Sequence, residues 1–169
     1  MAGKNPRKAN GNFDLSQSPS HLLRRCVQYA NDLFSRESAA NDLTKQQFTV
    51  LAAVEQNEGI SQTDLVGLTG IDRSTLAEMI RRMIDKGLLD RERTESDQRA
   101  NAVRIAAAGK KALRGARTAN ERVERTLLAS LSAGDRTKFL RMLATVASKA
   151  EPSPSSSRSA GKSARRMRQ

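Results

Sequence analysis

Residues 61–86 read SQTDLVGLTGIDRSTLAEMIRRMIDK, and this spacing gathers side chains able to contact nucleic-acid bases on one face of a helix. Ser61 and Asp64 have the spacing of a helix cap and precede the apolar Leu65, Val66 and Leu68, while Thr69, Gly70 and Ile71 read as a turn. Asp72 opens a second helix, in which Leu76, Met79, Ile80, Met83 and Ile84 recur at helical spacing and form one face to bury. The opposite face carries Arg73, Ser74, Thr75, Ala77, Glu78 and Arg81. Guanidinium, hydroxyl, carboxylate and methyl groups are what pair with major-groove base edges and phosphates, and a helix N-terminus adds a favourable dipole toward phosphate. A plain helical hairpin with a solvated face is the competing reading. The next segment favours the first: residues 88–93 and 100–105 read as two strands around 94–99, the element order of a winged helix-turn-helix.

Other chemistry is poorly supplied. The chain has one histidine, His21, and one cysteine, Cys26. Five positions apart on one helix, they diverge by about 140° in azimuth, a poor placement for a base and a nucleophile. There is no paired His/Asp/Glu ligand cluster, so neither an enzyme, a bound metal nor a cofactor is expected. His21, Arg25 and Tyr29 lie four apart along one side of that helix and suit an anionic or aromatic ligand, although a solvated or partner-contacting edge fits the same spacing. Cys26 falls within the helix's apolar stripe, where a thiol is expected to be a small inert hydrophobe and not a redox sensor.

The elements that must position these groups follow from periodicity. Ser18 caps a first helix with Pro19 at its first position and Leu22, Leu23, Cys26, Val27, Ala30, Leu33 and Phe34 on one stripe, a surface that needs a partner. Thr44 and Gln47 have capping-box spacing ahead of Phe48, Leu51 and Val54, and Ser132 with Asp135 repeats the signal before Phe139, Leu140, Leu143 and Val146. Residues 1–17 and 151–169 read as disordered arms, the second of them basic. The expectation is a mostly α chain with a small β wing, its regulator domain spanning 18–150: a winged helix-turn-helix lobe at 43–105, and dimerisation helices at 18–42 and 106–150. Across the 169 residues the net charge is +12 with 37% hydrophobic content, enough apolar material for a core and a field that attracts a polyanion. A lone cysteine, no apolar run after the basic N-terminus and no membrane-length stretch point to a cytoplasmic protein, neither secreted nor embedded in a membrane.

Several motifs in this order resemble the MarR (multiple-antibiotic-resistance regulator) family across residues 18–147. Leu43-Thr44 with Gln47-Phe48 resembles its second-helix opening, and Ser74-Thr75-Leu76 its recognition-helix start. Lys86-Gly87-Leu88-Leu89 resembles the exit into the wing, and Asp97-x-Arg99 followed by Val103, Ile105 and Gly109 the wing signature. The resemblance implies a homodimer on a double-stranded operator, acting as a repressor and released by a small-molecule effector, with aromatic carboxylates and aromatic acyl-CoA thioesters the preferred classes. It also implies that Asp97 orients nearby arginines while Arg99 enters the minor groove, where the negative potential favours it. Organic-hydroperoxide sensors of the family use a first-helix cysteine, which makes a Cys26-based redox regulator one alternative. A non-specific DNA-compacting protein, suggested by the charge, is the other. Two departures stand out. Ile105-Ala106 replaces the usual Leu-Thr, losing a cap worth roughly 1 kcal/mol. Glu78 stands where a basic or small residue is common, to repel phosphate or to accept from cytosine N4.

Overall fold

Each helix begins where a side-chain oxygen can satisfy its first amides. Ser18 accepts from the His21 amide to open α1 (Pro19–Glu37), and a reciprocal Thr44/Gln47 box opens α2 (Lys45–Gln56). Ser61 caps α3 (Gln62–Thr69), Asp72 caps α4 (Arg73–Asp85), and Ser132 caps α6 (Ala133–Ala147). The exception is α5 (Ala107–Leu127), whose cap residue Ala106 offers no side-chain acceptor, as the sequence implied. The computed structural model describes residues 14–38, 42–92 and 102–149. Within the span read as an unstructured arm, Leu15–Gln17 forms a short 3-10 turn held by the Asp14 carboxylate on the Ser16 amide.

Three antiparallel strands complete the lobe: β1 (Ile60–Ser61), β2 (Leu89–Glu92) and β3 (Ala102–Ile105), with β3 in the middle. Leu89 pairs with Ile105 and Glu92 with Ala102, so the ladder is in register throughout its described length. The first strand was not expected. It is two residues long, and its partners Val103 and Ala102 lie some forty positions away, so no local period announces it.

One core joins both parts of the chain. Phe34 of α1, Leu51 of α2, Leu65 of α3, Leu76, Ile80 and Met83 of α4, Leu89 of β2 and Leu113 of α5 are all fully buried. Phe34 and Phe48 meet with ring centroids 5.5 Å apart, a tilted pair that ties α1 to α2. Of the apolar residues of α3, Leu65 is buried whereas Leu68, near the helix end, is 57% exposed. Most of the α1 stripe also finds no cover among the described residues: only Leu33 and Phe34 are buried, while Leu22, Leu23 and Val27 are exposed. Cys26 is exposed too, which corrects the expectation of a buried thiol, since the N-terminal half of α1 runs clear of the α2–α5 packing that buries its other end. No residue of α6 is buried; Leu140, Met142 and Val146 all face outward.

Two glycines fix the geometry of α4. Gly70 closes α3 in the left-handed region at φ 67°, its amide bonded to the Val66 carbonyl at 2.9 Å, and so sets the turn between the two helices. Gly109 lies in the first turn of α5 directly over the Leu88 carbonyl, which also accepts the Ala106 amide at 3.1 Å. A Cβ there would overlap that oxygen. Gly109→Ala is therefore expected to lower stability by about 1–3 kcal/mol. Gly134→Ala, where a Cβ meets open space, should be neutral or stabilising by up to about 1 kcal/mol. Thermal unfolding of the two variants side by side checks the contrast; equal midpoints would contradict the close approach.

Candidate nucleic-acid interface

The α3–turn–α4 unit presents one helix face outward because the other is locked in the core. Leu76, Ile80 and Met83 are buried, and Arg73, Ser74, Thr75, Ala77, Glu78 and Arg81 are all exposed. All six expected contact residues of this helix thus come together on one accessible surface. At its N-terminus, the Asp72 carboxylate accepts from the Thr75 amide at 3.0 Å and from the Ser74 hydroxyl at 2.7 Å. Donation from Thr75 and then Ser74 holds the Asp72 carboxyl at about 2, below its ordinary 3.8. The cap therefore stays ionised throughout the neutral range and keeps the first turn wound.

Further along, the exposed face is an ion-pair network. Glu78 Oε2 accepts Arg81 Nε at 3.0 Å and its Oε1 accepts Arg81 Nη2 at 2.8 Å. The same Oε1 takes Arg82 Nε at 2.8 Å, and Arg81 Nη1 reaches Asp85 Oδ2 at 2.9 Å. The two arginines hold the Glu78 carboxyl at about 2, with Arg81 the larger influence, and Glu78 in turn raises the Arg81 guanidinium. Sequence reasoning missed Arg82. The signal was present, since Glu78 stands three and four positions before the two arginines and Arg81 four before Asp85, spacings that meet on a helix surface.

A hollow of 530 Å³ opens between the start of α2 and this face, lined by Thr44, Gln46 and Gln47 on one side and Ser74, Thr75, Glu78 and Arg82 on the other. Polar atoms of α2 thus border the same surface, a contribution that periodicity alone did not suggest. The wing ladder is described as far as Glu92 and Ala102, and Asp97 and Arg99 lie outside the described residues.

Two further hollows have no residue of α4 in their lining. One, of 610 Å³, brings together His21, Arg25 and Tyr29 with Leu22 and Cys26, so the three residues of the ligand expectation share a single surface. The other, of 540 Å³, lies where α1 meets α2 and includes Phe34, Ser38 and Lys45. Lys45 escaped the sequence reading. Its ammonium bonds Asn120 and, at 3.0 Å, Glu124 of α5, and sits 5.8 Å and 5.5 Å from the Phe34 and Phe48 ring centroids. Its hydrogen-bond partners are 75 and 79 positions away, so only the folded chain reveals them. Among the described residues no His/Cys/Asp/Glu group could hold a metal ion, and no helix is long and apolar enough to cross a membrane.

This geometry has counterparts among known proteins. A profile of the MarR family matches residues 41–100. The transcriptional regulator HosA of Escherichia coli is 33% identical over 123 residues, covering 73% of this chain and 90% of HosA. Among solved structures, the PcaV transcriptional regulator of Streptomyces coelicolor in complex with its natural ligand matches with a TM-score of 0.72 and 31% identity, covering 83% of this chain and 99% of PcaV. BpsR of Bordetella bronchiseptica, whose DNA binding is regulated by 6-hydroxynicotinic acid, matches with a TM-score of 0.74 and 26% identity over 83% of this chain and all of BpsR. The helical fold with its three-stranded antiparallel sheet is that of the family's winged-helix proteins.

The network on α4 has a pH signature. Glu78 is depressed from 4.5 to about 2 in the folded chain, so whatever it adds to stability is complete above its unfolded value and is lost as pH falls toward 2. Carboxyl-carbon NMR should show Glu78 titrating near pH 2 in the wild type and moving up toward the ordinary range in Arg81→Ala. A normal Glu78 titration in the wild type would mean that the guanidinium pair does not hold it in solution.

Proposed function

The chain belongs to the MarR family of transcriptional regulators, and from that membership we propose that this protein is a dimeric repressor, displaced from a pseudo-palindromic operator by a small aromatic carboxylate. The observation that carries the DNA-binding half is the exposed face of α4, where Arg73, Ser74, Thr75, Ala77, Glu78 and Arg81 stand together over a buried back of Leu76, Ile80 and Met83. Such a face offers bidentate donors and acceptors to base edges in a groove wide enough to admit a helix. In this reading Asp97 and Arg99 add the wing contact, with Arg99 in the minor groove. A regulator of this kind performs no covalent chemistry on its partners.

Dimerisation is supported by what one copy leaves uncovered. Leu22, Leu23 and Val27 of α1 and Leu140, Met142 and Val146 of α6 are exposed, with Val27 and Val146 each at 61%. A second copy burying both faces removes this apolar surface from water and presents two recognition helices related by a two-fold axis. The operator must then share that symmetry.

The α1 hollow supports the choice of effector class. Arg25 supplies a forked cation for a carboxylate, and Tyr29 and Leu22 supply ring and aliphatic surface for an aromatic body. Regulation of BpsR by 6-hydroxynicotinic acid supports a hydroxylated aromatic acid here as well. A free carboxylate matches Arg25 better than an acyl-CoA thioester, which lacks that anionic group on its acyl part.

Footprinting on promoter fragments with and without aromatic acids tests the reading. The expected result is a discrete two-fold footprint with half-sites roughly 10–10.5 bp apart, or a multiple of that, erased by a hydroxylated aromatic carboxylate. Arg25→Ala should keep the footprint and weaken the effector response by about tenfold or more, the loss of one charged hydrogen bond. Uniform coverage explained by salt alone would instead identify a DNA-compacting protein. Release by an acyl-CoA or a hydroperoxide, and not by the free acid, would replace the effector assignment.

A further inference from the structure

Glu78 departs from what a phosphate-facing helix would be expected to carry, and its partners suggest why a carboxylate stands there. Of the five N–H groups of Arg81, Nε and Nη2 each give one to Glu78, and Nη1 gives one to Asp85. One N–H on each terminal nitrogen remains to be offered. An arginine free on a helix surface samples many rotamers and must be ordered whenever it binds, whereas one gripped along its Nε edge is already ordered.

We propose that Glu78 is a positioning residue for sequence specificity: it grips the Arg81 guanidinium along its Nε edge, presents the remaining terminal N–H groups to base acceptors, and withholds the charge of Arg81 and Arg82 from phosphate. This deepens the operator-reading role given to α4 above and rests on it. Glu78 and Asp85 balance Arg81 and Arg82 along this strip of the helix, so the strip adds little attraction to an arbitrary duplex. On the operator, by contrast, a bidentate acceptor pair such as guanine O6 and N7 rewards a guanidinium held in one plane. Both effects widen the gap between specific and non-specific binding without requiring Glu78 to touch a base.

The test measures affinity for an operator fragment and for random duplex across a salt series, in the full-length wild type and in Glu78→Gln, Glu78→Asp, Arg81→Ala and the Glu78→Gln/Arg81→Ala double variant. In Glu78→Gln the non-specific affinity should rise and its salt slope steepen by roughly 0.9 for each additional phosphate neutralised. The specific-to-non-specific ratio should fall by about five- to tenfold, within the range for coupled neighbouring side chains. Glu78→Asp keeps the charge on a shorter arm, and should leave non-specific binding low while the ratio still falls. In the Arg81→Ala background, Glu78→Gln should lower the ratio only by what freeing Arg82 adds to non-specific binding, a clearly smaller loss than in the presence of Arg81. If Arg81→Ala alone leaves the ratio unchanged, the operator-reading role of this face fails and the proposal with it. If Arg81→Ala lowers the ratio but the Glu78→Gln loss adds to it in full in the double variant, Glu78 contacts a base itself and the positioning role is overturned. A Glu78→Asp ratio equal to wild type would reduce the residue to a charge, which also overturns it. All variants change exposed side chains, and matched melting curves confirm that they fold.

Discussion

The structure turns on the backbone of one residue, Leu88. Its amide bonds the Met83 carbonyl at 2.9 Å and so terminates α4; its carbonyl accepts the Ala106 amide at 3.1 Å and so starts α5. Gly109 leaves room for that carbonyl under the first turn of α5. Where a side-chain cap is missing at Ala106, a tertiary hydrogen bond takes its place. The end of α4 and the beginning of the long α5 helix are therefore joined at the same residue. In the proposed function, this junction is where an effector would act on the exposed face of α4.

Along its length α5 is tied back to the lobe by charge. Lys45 bonds Glu124, Arg117 pairs with Glu55, and Arg122 pairs with Glu37 of α1. Exposed pairs of this kind each contribute little to stability, about 0–1 kcal/mol. Lys45 differs from the others because its side chain is only 19% exposed and lies against two aromatic rings, where screening is weaker. The hollow it borders lies between α1 and α2, so a change in either helix registers at an ammonium shared with α5. The net charge of +12 is not concentrated on the α4 strip, whose arginines are balanced.

Local chemistry was legible in the sequence and long-range chemistry was not. Ser18, Thr44 with Gln47, Ser61, Asp72 and Ser132 announced five helix starts because a cap acts within three residues. The α4 face was equally plain, since Leu76, Ile80 and Met83 and their exposed opposites follow one period. What escaped depends on distant partners: β1, which exists only through Val103 and Ala102, and Lys45, whose partners come from α5. The stripe on α1 was read as apolar and as needing a partner surface, and one copy leaves most of it exposed. Its burial of Cys26 was inferred from the stripe alone, and a single copy buries only the C-terminal end. The pairing of Glu78 with Arg81 and Arg82 was missed for a different reason: the spacing was visible, but the carboxylate was weighed against DNA before it was weighed against its own neighbours.

If the exposed faces of α1 and α6 pair two copies, the Leu88 junction makes the spacing of their reading helices respond to an effector. The most direct measurement is the spin-label distance between the two copies of position 68, using Leu68→Cys in a Cys26→Ser background, since Leu68 is exposed beside the α3–α4 turn and Cys26 is the one native thiol. Dipolar coupling is expected at micromolar protein, with a distance distribution that narrows on operator and shifts when a hydroxylated aromatic carboxylate is added. Absence of coupling, or a distribution indifferent to both DNA and effector, would contradict this coupling of dimer, junction and reading face.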